Sequence, residues 1–446
     1  MKKLIKTLKN IWSIEELRSK ILYTLALILI YRIGTHIVLP GIEPDKIAAQ
    51  MAGARKGILG LIDTFAGGAF SQASIFALGI MPYISASIFM QLMTVLVPQF
   101  QKMQKEGDSG RKKINQYTRY LTVLVTAVQA SAYVAYLKTI FQQGGINPAF
   151  VPYFWLSTVV VLVAGTLFVM WLGEKITDRG LGNGTSLIIM IGILARLPQS
   201  FLQEFQSKSV RSGSILIFII EIAVLIAIIL GCILLIQGTR KIPVNYAKQI
   251  VGNRQFGGAR QFLPIKVNSA GVMPIIFAQA IMFLPTLFSL SKTAAGQNIS
   301  RVFSDHSNIW YMVIYSVVVI GFTFLYTALI FNPKQIADNL KQNNGFIPGV
   351  KPGQPTADYI GSIMDKVTLP GAIFLALIGI LPGIAQLLGV TQGFSNFFGG
   401  TSLLIMVGVI LDTLQQIETQ LLMRQYDGLM KSGRIQGRQT ATSLQM

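Results

Sequence analysis

Long hydrophobic runs, separated by polar and basic connections, dominate the chain. A helix rises 1.5 Å per residue, so about 20 apolar residues cross the roughly 30 Å hydrocarbon layer of a bilayer. Runs of about this length cover residues 21–39, 75–97, 120–137, 154–172, 215–236, 267–290, 309–331, 367–388 and 397–411. A weaker run, residues 185–202, contains Arg196 and Pro198. The pattern predicts an all-α polytopic membrane protein with ten transmembrane helices.

The apolar stretch just ahead of the second run, residues 61–74, is too short to cross the membrane. It carries one acid, Asp63, and is interrupted by Gly67 and Gly68. Irregular backbone is tolerated at membrane depth only where it is buried in protein or lines a water-filled cavity, because lipid cannot satisfy its N–H and C=O groups. We therefore expect residues 61–74 to form a re-entrant stub beside a cavity.

A short motif recurs in the two halves of the chain. Residues 79–82 read Gly-Ile-Met-Pro, and residues 271–274 read Gly-Val-Met-Pro. Glycine and proline both weaken the hydrogen bonds within a helix, so we expect each helix to be bent or loosened at the motif. Matching interruptions in two halves indicate a central pathway in a membrane protein built from repeats.

The distribution of Lys and Arg predicts the orientation of the ten spans. The N-terminus, every second connection after it and the C-terminal tail together contain 28 of the 38 basic residues. Because basic residues are enriched in cytoplasmic segments, we expect both termini in the cytosol. Five spans per half is an odd number, so repeated halves must be inverted relative to each other. The predicted halves are residues 1–205 and 206–423, followed by a cytosolic tail at 424–446.

Composition supports a membrane protein and disfavours an enzyme. Of the 446 residues 52% are hydrophobic and 13% charged, and the net charge of +20 indicates orientation and contact with anionic lipids or a cytosolic partner, not specific DNA binding. One cysteine, Cys232, excludes an intrachain disulfide, and two distant histidines make a metal site improbable. The glycine-rich residues 180–186 lack the lysine of a phosphate-binding loop. We expect no catalytic, cofactor or metal site.

Acids inside the predicted spans are few. Glu221 lies within span six, Asp412 and Glu418 lie toward the cytosolic end of span ten, and Arg32 in span one could reach the interface. Central carboxylates are the usual mark of ion-coupled transport, so their scarcity disfavours a proton- or sodium-driven transporter. An inverted-repeat solute transporter and an insertase without a through pore remain the alternatives.

Several residues of the predicted spans suit a channel that opens. Ile80 and Ile84 share one helix face and could belong to a hydrophobic constriction, although packing or lipid contact is the ordinary role of such residues. Ser85, Gln129 and Asn268 are polar groups at membrane depth. Hydrogen bonds between helices are worth only about 1 kcal/mol each, which suits a seam that has to open.

The two longest cytosolic connections are residues 237–264 and 332–366. Both are polar, basic and rich in turn-forming residues. Loops of this kind on a rigid scaffold are natural docking sites, and solvated loops with no partner are the alternative.

Six sequence motifs carry a family resemblance. They are SIFALGIMPYISAS at 74–87, KEG at 105–107 with QYTRY at 116–120, GNG at 182–184, VNYA at 244–247, FNP at 331–333 with ADNL at 337–340, and GGTSLLI at 399–405. Together they resemble the SecY family, the channel subunits of the bacterial protein translocon. The resemblance extends over all ten predicted spans in order.

The resemblance implies a fold with an hourglass pore between two inverted five-helix halves, closed by a plug and a ring of apolar side chains. The ring residues would be Ile80, Ile84, Ile189, Ile276 and Ile405. The plug would be residues 61–74, including Leu61, Ile62, Asp63, Thr64, Phe65, Gly67, Gly68 and Phe70. A lateral gate, between spans two and three on one side and seven and eight on the other, would carry the polar cluster Ser85, Gln129 and Asn268.

The resemblance also implies a function and partners. Unfolded secretory polypeptides with signal sequences would pass through the pore, and hydrophobic segments would leave sideways into lipid. The SecA ATPase or the ribosome would dock at Arg240, Lys241, Lys248, Arg254 and Lys351, and SecE and SecG would be the small membrane subunits. The location would be the bacterial inner membrane. Thr185, Asn253 and Lys351 depart from the usual family residues, which are isoleucine, arginine and arginine.

Overall fold

The computed structural model describes residues 12, 14–43, 63–141, 151–209, 214–246, 249–251, 254–256, 260–283 and 307–431. The helices in these residues are α1 (Glu15–Gly34), α2 (Met81–Leu96), α3 (Pro98–Lys105), α4 (Asp108–Ile140), α5 (Phe154–Arg179), α6 (Gly184–Ser209), α7 (Ser214–Gln237), α8 (Met273–Phe283), α9 (Ile309–Ile330), α10 (Pro333–Gln342), α11 (Gln354–Leu387), α12 (Gln392–Ser395) and α13 (Gly400–Lys431). The strands are β1 (Thr239–Tyr246), β2 (Gln249–Val251), β3 (Arg254–Phe256), β4 (Arg260–Lys266) and β5 (Gly345–Phe346).

Most of the predicted spans appear as long apolar helices. Seven helices of the described part of the chain are long and apolar enough to cross a membrane, and an eighth results if the sharply bent pair α2–α3 is counted as one span. The seven are α4, α5, α6, α7, α9, α11 and α13. The weak fifth run forms α6, an unbroken helix with Pro198 inside it, as predicted. Residues 284–290 of the seventh run lie outside the described residues.

The sequence led us to expect a bent or loosened helix at each Gly-x-Met-Pro motif. This expectation is wrong, because each motif lies at the start of a helix. Helix α2 starts at Met81 and α8 at Met273, while residues 75–80 form turns instead of the start of a span. Gly79 and Gly271 have φ values of 54° and 64°, a conformation that glycine adopts without strain. Proline suits the first turn because its missing N–H needs no partner there. The two copies therefore share one local geometry.

Contacts divide the chain into two compact units. The first comprises the described residues within 1–53, 62–195 and 408–446, and the second those within 54–61 and 196–407. In the first unit α4 packs against α2 and α5, and α1 packs against α5. In the second unit α9 packs against α8 and α11, and α10 packs against α11. The predicted halves, 1–205 and 206–423, stay a prediction.

A small β-structure that the sequence did not predict occupies the connection after α7. Strands β1 and β4 pair antiparallel, with Thr239 opposite Lys266, and β5 pairs with the other edge of β1. Strands β2 and β3 form a second antiparallel pair. Ile242, Val244 and Ile265 are buried against a hydrophobic cluster from the α10–α11 region. The basic connection thus has a core of its own.

Candidate plug and channel residues

The re-entrant stub, residues 63–74, turns back on itself inside the first unit. All of its residues except Gln72 are buried. Its turns are closed by backbone hydrogen bonds, among them Gly68 N to Asp63 O at 2.8 Å and Ser74 N to Ala69 O at 3.1 Å. The Asp63 carboxylate, 3% exposed, accepts from the Ser71 N–H at 2.8 Å. The one acid of the segment is therefore hydrogen-bonded to the segment's own backbone.

The end of the stub is tied to the chain that follows α1. Ile75 N donates to Ile37 O at 2.9 Å, and Leu39 N donates to Ala73 O at 2.8 Å. These bonds flank an isolated antiparallel bridge between Val38 and Ser74. These backbone groups, which lipid could not satisfy, are therefore paired within the protein.

Glycines on neighbouring helices make room for the stub and the turn after it. A Cβ at Gly192 of α6 would lie 2.6 Å from the Phe65 carbonyl oxygen, and a Cβ at Gly165 of α5 would lie 2.3 Å from the Ile75 carbonyl oxygen. Real Cβ atoms do not approach other atoms so closely. Only glycine at these two positions lets the irregular backbone pack directly against the helices.

Three side chains from the neighbouring helices point to stub carbonyls. The Tyr133 hydroxyl donates to Phe70 O at 2.8 Å, and the Arg32 guanidinium donates to Gly67 O at 3.2 Å. The Tyr31 hydroxyl makes a longer contact, 3.5 Å, with the carbonyl oxygen of Ala66. The stub is thus held by α1 and α4, and Arg32 points inward instead of toward the interface.

A polar cavity of about 280 Å³ lies elsewhere in the first unit. Its lining includes Arg119 and Glu174, which form a two-pronged ion pair with nitrogen–oxygen distances of 3.0 and 2.7 Å. Thr185 also lines it. Beside the cavity the Asn183 carboxamide accepts from the Thr185 N–H at 3.1 Å, so the glycine-rich residues 180–186 serve as the start of α6.

The second unit contains a buried ionic cluster. Lys208 Nζ lies 3.0 Å from the Glu221 carboxylate and 3.6 Å from that of Glu204, and it donates to Gly389 O at 3.0 Å. Thr391 donates to Glu204 from both its N–H and its hydroxyl. Glu221, the acid that stood out in span six, therefore has a cation beside it and joins α7 to α6.

The predicted ring residues are divided between the two units. Ile80 precedes the first turn of α2 and is 3% exposed, Ile84 follows one turn later, and Ile189 is buried in α6, all in the first unit. Ile276 in α8 and Ile405 in α13 belong to the second unit and are half-buried. The five-residue ring stays a prediction.

The three predicted gate residues have different environments. Ser85 is exposed and donates to Met81 O of its own helix at 3.1 Å, and Gln129 is half-buried in α4. Asn268 was expected in a span but lies in the turn between β4 and α8, because the helix begins only at Met273. Its buried Oδ1 accepts no hydrogen bond from the residues that the structure describes.

Three of the predicted docking residues, Arg240, Lys241 and Lys351, are exposed. Arg240 and Lys241 lie on β1, and Lys351 lies in the turn before α11. Arg254 begins β3, and Lys248 lies outside the described residues. The same holds for Leu61 and Ile62 of the predicted plug.

Comparison with known proteins identifies the family. The family model for SecY matches residues 74–414. The chain belongs to the SecY family. The protein translocase subunit SecY of Streptomyces scabiei is 42% identical over 428 residues, covering 93% of this chain and 97% of the relative. The SecY subunit of Chlamydia trachomatis serovar D is 41% identical over 455 residues, covering 97% and 99% of the two chains.

Solved structures show the same fold. A structure described as a protein-conducting channel aligns over 93% of this chain and 94% of its own, with a TM-score of 0.61 at 17% identity. A SecY structure concerned with the plug domain and the membrane seal covers the same shares, with a TM-score of 0.57 at 17% identity. The SecY fold is therefore the fold of this chain.

Sequence reasoning missed the side chains that hold the stub in this SecY-family chain. Tyr31 and Tyr133 look like ordinary span aromatics, and Gly192 looks like one of many span glycines. The available signal was the stub itself, since its predicted irregular backbone required polar partners from the spans around it. Which spans supply them depends on tertiary packing.

Proposed function

We propose that this chain is the channel subunit of a bacterial Sec translocon, through which unfolded secretory polypeptides cross the inner membrane. The observation that carries the proposal is the similarity along nearly the whole chain, at 41–42% identity, to proteins named protein translocase subunit SecY. The chain is a passive pore and not an enzyme. The SecA ATPase or the translating ribosome supplies the driving force.

In this proposal, apolar side chains form the waist of the pore. Ile80, Ile84, Ile189, Ile276 and Ile405 surround the translocating chain without sequence-specific contacts, and a hydrophobic constriction of this kind closes by dewetting. Residues 61–74 plug the pore at rest. The burial of the described stub and its polar contacts with α1 and α4 support this role.

Hydrophobic segments leave the pore sideways into the bilayer. The partition of such a segment into lipid is favourable, and Ser85, Gln129 and Asn268 are proposed to form the polar cluster of the lateral exit. The buried Asn268 Oδ1, which accepts no hydrogen bond from any described residue, supports this assignment, because an unsatisfied acceptor holds a closed seam only weakly.

Partners dock on the basic connections. Arg240, Lys241, Lys248, Arg254 and Lys351 receive SecA or the ribosome, SecE and SecG complete the membrane complex, and anionic lipids contact the basic inner surface. The folded core beneath β1 and β4 supports this proposal, because it can hold exposed cations in place. Both termini are in the cytosol.

The main alternative, an inverted-repeat solute transporter, requires a charged or coordinating site at mid-membrane. Glu221 is the acid within span six, and its position beside Lys208 gives it a structural role instead. In the part of the chain that the structure describes, no group of three or more metal-binding side chains occurs.

A reconstituted translocation assay tests the proposal. Vesicles containing the chain, its small subunits and SecA should protect a secretory preprotein from external protease when ATP is present. The Lys351→Glu variant should reduce this protection, whereas Lys366→Glu, an exposed lysine of α11, should not. Failure of the wild-type vesicles to protect any preprotein would contradict the proposal.

A further inference from the structure

We propose that Tyr133, Arg32 and Tyr31 form a latch that controls how readily the stub leaves its closed position. The proposal rests on the proposed role of residues 61–74 as the plug, and it names the residues that regulate that plug. We name these three side chains the carbonyl latch.

The carbonyl latch uses lone pairs of carbonyl oxygens that the hydrogen bonds within the stub leave free. A carbonyl oxygen has two lone pairs. Phe70 O already accepts from Ala73 N at 3.2 Å and then also from Tyr133. Ala66 O likewise accepts from Ala69 N at 3.3 Å and faces Tyr31. The latch can therefore release the stub without undoing its internal turns.

Burial makes the latch bonds depend on the stub's position. Tyr133 is 3% exposed and Tyr31 is 1% exposed, so the stub carbonyls are the partners that these hydroxyls have in the closed position. When the stub moves away, water in the open pore has to replace them. The number and quality of the latch bonds then bias the balance between closed and open positions.

The geometry ranks the three contacts. The Tyr133 bond has the usual length of an O–H···O hydrogen bond, 2.8 Å, and its ring packs on Phe70 with centroids 4.7 Å apart. The Arg32 bond is longer, 3.2 Å, but its donor is charged, which strengthens it. The Tyr31 contact, 3.5 Å, is beyond the usual range.

Substitution of each latch side chain tests the latch. The readout is the ion conductance of the resting channel in planar bilayers. Tyr133→Phe keeps the ring and should raise the fraction of open resting channels about fivefold. Arg32→Gln should raise it about tenfold, and Arg32→Lys, which keeps a charged donor, should have a smaller effect. Tyr31→Phe should change it less than about twofold.

Tyr136→Phe is the matched control. The Tyr136 ring also packs on Phe70, with centroids 5.9 Å apart, but among the described residues no stub carbonyl accepts from its hydroxyl. This variant should conduct like the wild type. The unfolding temperature of every variant should stay near the wild-type value, and the conductance of a channel held open by a secretory chain should be unchanged, because the latch acts only at rest.

Deletion of residues 63–70 separates failure of the latch from failure of the plug. If the deletion leaks while Tyr133→Phe and Arg32→Gln conduct like Tyr136→Phe, the latch is refuted and the plug stands. If the deletion does not leak, the plug role is refuted and the latch with it. A leak from both latch variants, approaching that of the deletion, supports the latch.

Discussion

Replacement of Lys208 tests whether the buried ionic cluster of Lys208, Glu204 and Glu221 stabilises the fold. Lys208→Met keeps an unbranched apolar side chain of similar size but removes the charge. Glu204 and Glu221, whose side chains are 0% and 8% exposed, then lose the ammonium group that lies within 4 Å of both. The bond to Gly389 O is lost as well.

The expected loss of stability is large. Removal of one partner from a buried ion pair costs about 3–5 kcal/mol, because the remaining charge stays desolvated. Here two carboxylates remain, so the loss should lie at the upper end of that range. Domains are typically stable by only about 5–15 kcal/mol, so the unfolding temperature should fall clearly.

Thermal unfolding of the purified protein in detergent measures this effect. The triple variant Lys208→Met, Glu204→Gln, Glu221→Gln removes all three charges and should regain most of the lost stability. Lys138→Met, an exposed lysine near the end of α4, is the control and should unfold like the wild type. An unchanged unfolding temperature for Lys208→Met alone would refute the reasoning.

Three further predictions concern the first unit. Gly192→Ala should raise the resting ion conductance, because its Cβ would overlap the stub backbone and overpacking costs about 1–3 kcal/mol; Gly321→Ala, which meets nothing within 4 Å, should not. Joint replacement of Ile80 and Ile84 by serine should also give a leaky closed channel, and wild-type conductance would count against them as the seal. Arg119→Met should change the unfolding free energy by less than about 1 kcal/mol, since this arginine is 51% exposed; a larger calorimetric change would contradict that estimate.

The hydrophobic runs predicted the long helices well because the bilayer imposes both their length and their composition. The weak fifth run is the best example, since α6 is continuous in spite of Arg196 and Pro198. Burial of the stub was also predictable, because short apolar backbone at membrane depth needs protein around it. These features follow from the bilayer environment and the length of each apolar run alone.

Features set by tertiary contacts were not predictable. The Gly-x-Met-Pro motif has the same composition whether it bends a helix or begins one, and the positive φ of Gly79 became visible only in the structure. The alternation of Ile242 and Val244 was masked by the proline between them and by the neighbouring charges. The partner of Glu221, Lys208, comes from another helix, so no local pattern identifies it.

Site-specific crosslinking to a stalled secretory chain tests the central claim most directly. A photoreactive residue at position Ile276 or Ile405 should capture a hydrophilic segment of that chain. The same probe at Ile281 of α8 or Ile410 of α13, which are 39% and 41% exposed, is the control and should not. Capture at Ile276 and Ile405 alone is the result that a protein-conducting pore predicts. Absence of capture there, or equal capture at all four positions, would contradict it.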